Sequence, residues 1–282
     1  MDIFKNQTRK QVNTGSQTLW ALIGTPKSFT ETKNKYPIIV FIHGSGEVGS
    51  TESSVEKLCT YGPAYLLANG QDLTVKREDG KTVEFLTLAI QQKTVTYTTL
   101  FQILHVIDND ELLKDRVAEI FITGLSLGAQ SIFEDHWKQD ISKLSRISGF
   151  APFSGDWYSS IDGNLNNLKL TKTPVVLYWG TQENSYVLYG STRIPSVLNG
   201  ANKGQVVTGY QNSGHCCWNV PYSTSFKFSN QKNLYENFAQ YVKVEEEEVV
   251  VKSKLEISMS GKAITEDIVI DTEDLKFIYK II

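Results

Sequence analysis

Apolar residues along this 282-residue chain gather in short unbroken runs separated by stretches of helical spacing. The clearest run, Tyr36-Pro37-Ile38-Ile39-Val40-Phe41-Ile42, leads into His43-Gly44-Ser45-Gly46-Glu47. Such runs belong to strands buried on both faces. The same signature returns over 83–90, 119–123 and 173–179, and more weakly over 147–152 and 205–210. Thr18-Leu19-Trp20-Ala21-Leu22-Ile23, stopped by Gly24 and Pro26, reads as a strand of an outer pair. Helical spacing occupies 98–113, 126–139, 191–198 and 234–242. This alternation predicts an α/β, doubly wound and mostly parallel sheet covered on both faces.

The pattern changes after Val242. A block of like charge, Glu245 to Glu248, precedes Val249-Val250-Val251, then Leu255, Ile257 and Met259 in alternation, and further β-like runs over 268–270 and 275–282. We expect an α/β domain over 1–244 and a β-rich C-terminal extension over 245–282. The extension reads as an added edge hairpin, or as a docking element through which a homo-oligomer or larger assembly forms, since exposed edges invite pairing.

With 40% hydrophobic and 21% charged residues the composition is globular, and a formal net charge of −3 supplies no basic field for nucleic acid or an anionic membrane. The polar start lacks the apolar segment of a secretory signal and no run is long enough to span a bilayer, so the expected location is cytoplasmic. Cys59 and the adjacent Cys216 and Cys217 cannot build a disulfide framework. Neighbouring cysteines do not easily share one tetrahedral ion, so no metal site and no cofactor is expected.

The strand over 119–123 runs directly into Gly124-Leu125-Ser126-Leu127-Gly128 and then a helical pattern. A serine in a Gly-x-Ser-x-Gly frame at a strand-to-helix turn is a nucleophile elbow, and the small flanks let strand and helix close on it. A serine hydroxyl needs a base. Of four histidines, His43 precedes the serine, while His105 and His136 lie along helical stretches. Only His215, in Asn212-Ser213-Gly214-His215, arrives in a late loop able to lean over Ser126. The acid belongs between the two in a loop after a strand; Glu183 is preferred and Asp156 is the alternative. Backbone amides of Leu127 and of the Ser45 region are the expected oxyanion donors. Glu47 either orders that loop or is solvated. Trp157, Trp179 and Trp218, with Tyr158, Tyr186 and Tyr189, are candidates to contact a substrate ring, or form the rim of the core.

These motifs resemble the α/β-hydrolase superfamily, and within it the esterases and predicted peptidases related to polyhydroxybutyrate depolymerase and feruloyl esterase. The similarity lies in the Tyr-Pro strand into His43-Gly44-Ser45-Gly46-Glu47, the elbow over 120–128, and Gly214-His215 with Trp218 and Tyr222. It implies Ser126 as nucleophile, His215 as base and the residue aligned at Glu183 as acid. The chain departs from that pattern with Trp179-Gly180 and Glu183 in place of His-Gly before an aspartate, and at Ala89-Ile90-Gln91-Gln92, where the family commonly has proline before glutamine. The expected activity is that of a serine carboxylester hydrolase working without a cofactor, on an ester of a small or aromatic acid possibly attached to carbohydrate. A catalytically silent scaffold, docking through its extension, is the alternative, and peptidase activity a third.

Overall fold

The computed structural model describes residues 4, 6–29, 34–134, 141–158, 161–198, 206–243, 257–259 and 262–264. The chain forms two compact units, Met1–Val242 and Lys243–Ile282. In the second, β11 (Ile257–Met259) and β12 (Lys262–Ile264) pair antiparallel. The β-like runs expected over 249–251, 268–270 and 275–282 lie outside the described residues, as does His136.

The larger unit is built on eight strands side by side: β1 (Gln7–Asn13), β2 (Thr18–Gly24), β6 (Leu86–Ile90), β3 (Tyr36–Ile42), β7 (Val117–Leu125), β8 (Ile147–Phe153), β9 (Val176–Gly180) and β10 (Val206–Tyr210). From β6 to β10 every pairing is parallel, and β1 and β2 join antiparallel at one edge. All seven residues of β3 are buried because both sheet faces are covered. Ile38, Val40 and Ile42 join one apolar cluster with residues of α2 (Leu100–Asn109), α3 (Leu127–Phe133), α5 (Asp162–Thr171) and α6 (Ser185–Leu198). Ile39 and Phe41 join the opposite cluster with residues of α1 (Gly62–Ala68) and α8 (Leu234–Ala239). Strand side chains alternate in direction, so an unbroken apolar run feeds two cores at once.

Local chemistry sets several boundaries. Helix α2 starts where the Thr99 hydroxyl accepts the Gln102 amide and the Gln102 side chain accepts the Thr99 amide. This reciprocal cap satisfies two of the amides a helix start leaves orphaned. The run over 83–90 is two strands, not one: Thr82–Glu84 (β5) pairs with Thr74–Lys76 (β4) in a separate hairpin, and only Leu86–Ile90 enters the main sheet. Strand β1 has a single buried residue, Val12, which is why no apolar pattern announces it. Helix α6 begins six residues before the expected 191, capped by Asn184, whose Oδ1 accepts the Tyr186 and Val187 amides. Glycine at 190 is required there, since a Cβ would lie 2.7 Å from Trp157 Cδ2.

Candidate active site

Ser126 stands between the end of β7 and the start of α3 with φ 50° and ψ −121°. A side-chain-bearing residue at positive φ is strained, at a cost of about 1–3 kcal/mol, and persists only where its surroundings fix it. Two glycines do so. A Cβ on Gly124 would lie 2.7 Å from the Gly128 carbonyl carbon, and one on Gly128 would lie 2.6 Å from the Ile42 carbonyl carbon. The Ser126 amide donates to Phe153 O at 3.0 Å, tying the turn to the next strand.

Ser126 Oγ lies 2.8 Å from His215 Nε2, and His215 Nδ1 lies 2.8 Å from Glu183 Oε2. The Glu183 side chain is fully buried while His215 is half-exposed. Loops after β9 and β10 carry the two residues and are bonded together. The Thr181 amide donates to Tyr210 O at 3.0 Å, the Gln182 amide to Ser213 O at 2.9 Å, and the Asn212 amide to Thr181 Oγ1 at 3.0 Å. Gly180 permits this approach, since a Cβ there would meet the Gly214 carbonyl oxygen at 2.7 Å. The Glu183 hydrogen bond holds the His215 imidazole above its usual value against the opposing effect of burial, and the charges of Glu183 and Asp156 add to the rise. Asp156 Oδ1 instead accepts the Asn184 side-chain amide at 2.8 Å.

On the other flank, Ser45 opens a single 3-10 turn, Ser45–Glu47, and Leu127 is the first residue of α3. An amide at the first position of a helix has no acceptor within it and meets the positive end of the helix dipole. The 43–49 segment adjoins Ser126: a Cβ on Gly44 would lie 3.5 Å from Ser126 Cβ. His43 is buried; its Nε2 accepts the Gln92 amide at 3.0 Å, which leaves the proton on Nδ1, 2.6 Å from Gly44 O. Burial holds its imidazole below the usual value and favours the neutral form. The Gln91 side-chain amide donates to Glu47 O at 2.9 Å and the Gly49 amide to Gln92 O at 2.9 Å. Nothing in the local sequence marked these glutamines as anchors, because their partners lie more than forty residues upstream.

No protein-family model matches the chain, and no curated protein does. Solved structures do. A thermostable esterase aligns over 85% of this chain and 60% of its own, with TM-score 0.50 and 17% identity. The propionate-bound esterase Est2 of the Planctomycetes species Thermogutta terrifontis aligns over 77% of this chain and 86% of its own, with TM-score 0.50 and 13% identity. Est1E of Butyrivibrio proteoclasticus aligns over 74% and 90%, with TM-score 0.46 and 17% identity. The parallel strands, the tight turn at Ser126 and the two alignments at TM-score 0.50 agree. The chain has the α/β-hydrolase fold.

In α/β-hydrolase terms the sequence-derived residues are spread unevenly. Ser126, His215 and Glu183 come together, and the Ser45 and Leu127 segments flank Ser126. The expectation that Trp157 contacts substrate is corrected: its ring is completely buried against Phe133 and Gly190, with no face left for a ligand. Trp179 is on strand β9 itself and packs on the core cluster beside Gly209. Trp218 is 6% exposed and meets His215 edge-on at 4.9 Å, walling the imidazole rather than offering an open platform. Of the six candidate rings, Tyr158, Tyr186 and Tyr189 are exposed, the first two with ring centroids 4.7 Å apart. Glu47 is buried, not solvated. Cys59, Cys216 and Cys217 are free thiols, and the described residues hold no group of three or more potential metal ligands. None of the described helices is long and apolar enough to cross a membrane.

Proposed function

We propose that this chain is a serine carboxylester hydrolase. The observation that carries the reading is the continuous hydrogen-bonded line Ser126–His215–Glu183, with 2.8 Å at each step, on an elbow whose strain two glycines enforce. In this mechanism His215 Nε2 takes the Ser126 proton as Oγ attacks the ester carbonyl. Glu183 keeps the other imidazole proton on Nδ1 and stabilises the cation that forms. The oxyanion faces the amides of Leu127 and Ser45. His215 returns its proton to the leaving alcohol, and water then repeats the sequence on the acyl-enzyme. No step needs a metal or redox group.

The substrate proposed is an ester of a small or aromatic acid, with carbohydrate as one alcohol. Esters are favoured over amides on chemical grounds, because an alkoxide leaves more readily than an amine under the same push. The test is labelling with a fluorophosphonate probe beside turnover of p-nitrophenyl acetate, a feruloyl ester and an aminoacyl anilide. Labelling that requires Ser126, with ester turnover exceeding anilide turnover, supports the assignment. An unlabelled, inert protein indistinguishable from Ser126→Ala defeats it, and faster anilide cleavage makes it a peptidase.

A further inference from the structure

Trp157 offers no face to a ligand, yet its burial presents the residue after it. Its ring packs on Phe133 and fills the space left by Gly190 of α6, which pins the loop after β8 against that helix. Tyr158 follows, 42% exposed, and meets Tyr186, 49% exposed, with ring centroids 4.7 Å apart and planes tilted by 47°. Tyr186 and Gly190 are four residues apart on α6, so one face of that helix makes both contacts. A second tie joins the same two segments, for the Asn184 side-chain amide donates to Asp156 Oδ1 at 2.8 Å. The two rings are therefore held side by side by contacts among their sequence neighbours.

The pair stands beside the reacting groups. Phe153 O accepts the Ser126 amide at 3.0 Å, and the chain then turns at Ser154, which is buried and has φ 54°. That strained geometry is held in part by the Ser154 amide, which donates to Tyr178 O at 2.9 Å. The turn lays Gly155 on the first turn of α3, where a Cβ would lie 2.7 Å from the Gln130 amide nitrogen, itself bonded to Ser126 O at 2.9 Å. From the other side, Tyr186 follows Glu183 by three residues, so the two Cα atoms lie within about 10 Å of each other.

We propose that Tyr158 and Tyr186 form the subsite for the carbohydrate part of the ester, a pyranose laying its C–H face against the rings. An aromatic face is electron-rich, and the C–H groups of a sugar face carry the complementary partial charge. The openness of the pair selects this occupant over an aromatic acid. A sugar stacked there keeps its hydroxyls in water on the far side, whereas an aromatic acyl ring gains most from a slot that removes both of its faces from water. The inference rests on the esterase reading of the same site and names the half of the substrate that these rings recognise.

The experiment compares the parent with Tyr158→Ala, Tyr186→Ala, Tyr158→Phe and Tyr186→Phe in the full chain, on methyl 6-O-acetyl-glucopyranoside, ethyl acetate and ethyl ferulate. The first two esters share an acyl group and differ in the alcohol; the third carries an aromatic acid without a sugar. Loss of either ring is expected to raise KM for the sugar ester and to lower its kcat/KM relative to ethyl acetate about 2- to 10-fold. Phenylalanine keeps the ring and should keep the ratio. Tyr65→Ala removes a similarly exposed ring from α1, across the sheet, and should leave the ratio unchanged. If an alanine variant does not fold, leucine at the same position, which keeps apolar bulk without an aromatic face, decides by the same criterion. Unchanged ratios in the alanine variants, phenylalanine variants that fall as far as alanine, or a loss confined to ethyl ferulate overturn the proposal. So does a labelled parent that turns over ethyl acetate but not the sugar ester. A parent that takes no fluorophosphonate label and turns over none of the three fails differently, because it removes the esterase reading itself.

Discussion

Two histidines follow strands of the same sheet, one buried and one at its edge, yet their surroundings give them opposite chemistry. His43, after β3, is sealed in the interior between an amide that fills its Nε2 and a carbonyl that takes its Nδ1 proton. Burial lowers its affinity for a second proton. His215, after β10, is half-exposed, with a buried carboxylate on Nδ1 and a hydroxyl on Nε2. The carboxylate raises its affinity for a proton. The first is suited to hold a loop and the second to carry a proton. Residue type did not distinguish them; the neighbours of each ring did.

The comparison breaks most visibly at the proton carrier. Ser126→Ala and His215→Ala are each expected to lower ester turnover at least ~10³-fold, measured on p-nitrophenyl acetate, with the fold intact by circular dichroism. Glu183→Gln should cost about 10²–10⁴-fold in kcat, since it removes the group that sets the imidazole tautomer. The same variant tests the electrostatics. An imidazole can act as a base only when neutral, and Glu183 extends the protonated range of His215 upward in pH. The acid limb of kcat/KM in the parent therefore turns over above the usual imidazole value, and in Glu183→Gln the residual activity should turn over at lower pH. An acid limb that stays put would mean that Glu183 does not govern His215.

At the scaffold histidine the expected effect is on stability. Replacing His43 by leucine strands the Gln92 amide and removes one donor to Gly44 O, at about 1–3 kcal/mol by urea unfolding. Its folded-state affinity for a proton is depressed, so its contribution is complete above the unfolded imidazole value and is lost as pH falls through the folded one. Thermal melts from neutral to mildly acidic pH should show a decline that His43→Leu lacks in part. The smallest effect is assigned to Asp156→Asn. Its charge reaches His215 only at a distance and Asn184 already occupies its Oδ1, so kcat/KM should change by less than about threefold. A loss as large as that of Glu183→Gln would exchange the roles of the two carboxylates.

Much of this was legible in the chain because it is local. The apolar runs over 36–42 and 119–123 and the Gly-Leu-Ser-Leu-Gly turn between strand and helix depend on residues close together in sequence. Backbone sterics and side-chain periodicity act over that range. β1 escaped because an edge strand with one buried side chain carries no period, and the first turns of α6 because Asn184 and Gly190 interrupt the pattern for reasons supplied by the helix cap and Trp157.

Other features belong to the folded chain alone. Which of two plausible carboxylates lies against His215, whether Trp157 faces solvent or core, and whether Glu47 is wet or buried are matters of what stands opposite each side chain. Gly180 meets a loop more than thirty residues later, and His43 meets an amide forty-nine residues away. Desolvation and hydrogen-bond geometry are set by those distant partners. A sequence pattern specifies the strand that delivers a side chain, and the packing of other strands and loops around it determines whether that side chain keeps its proton, gives it up or is simply enclosed.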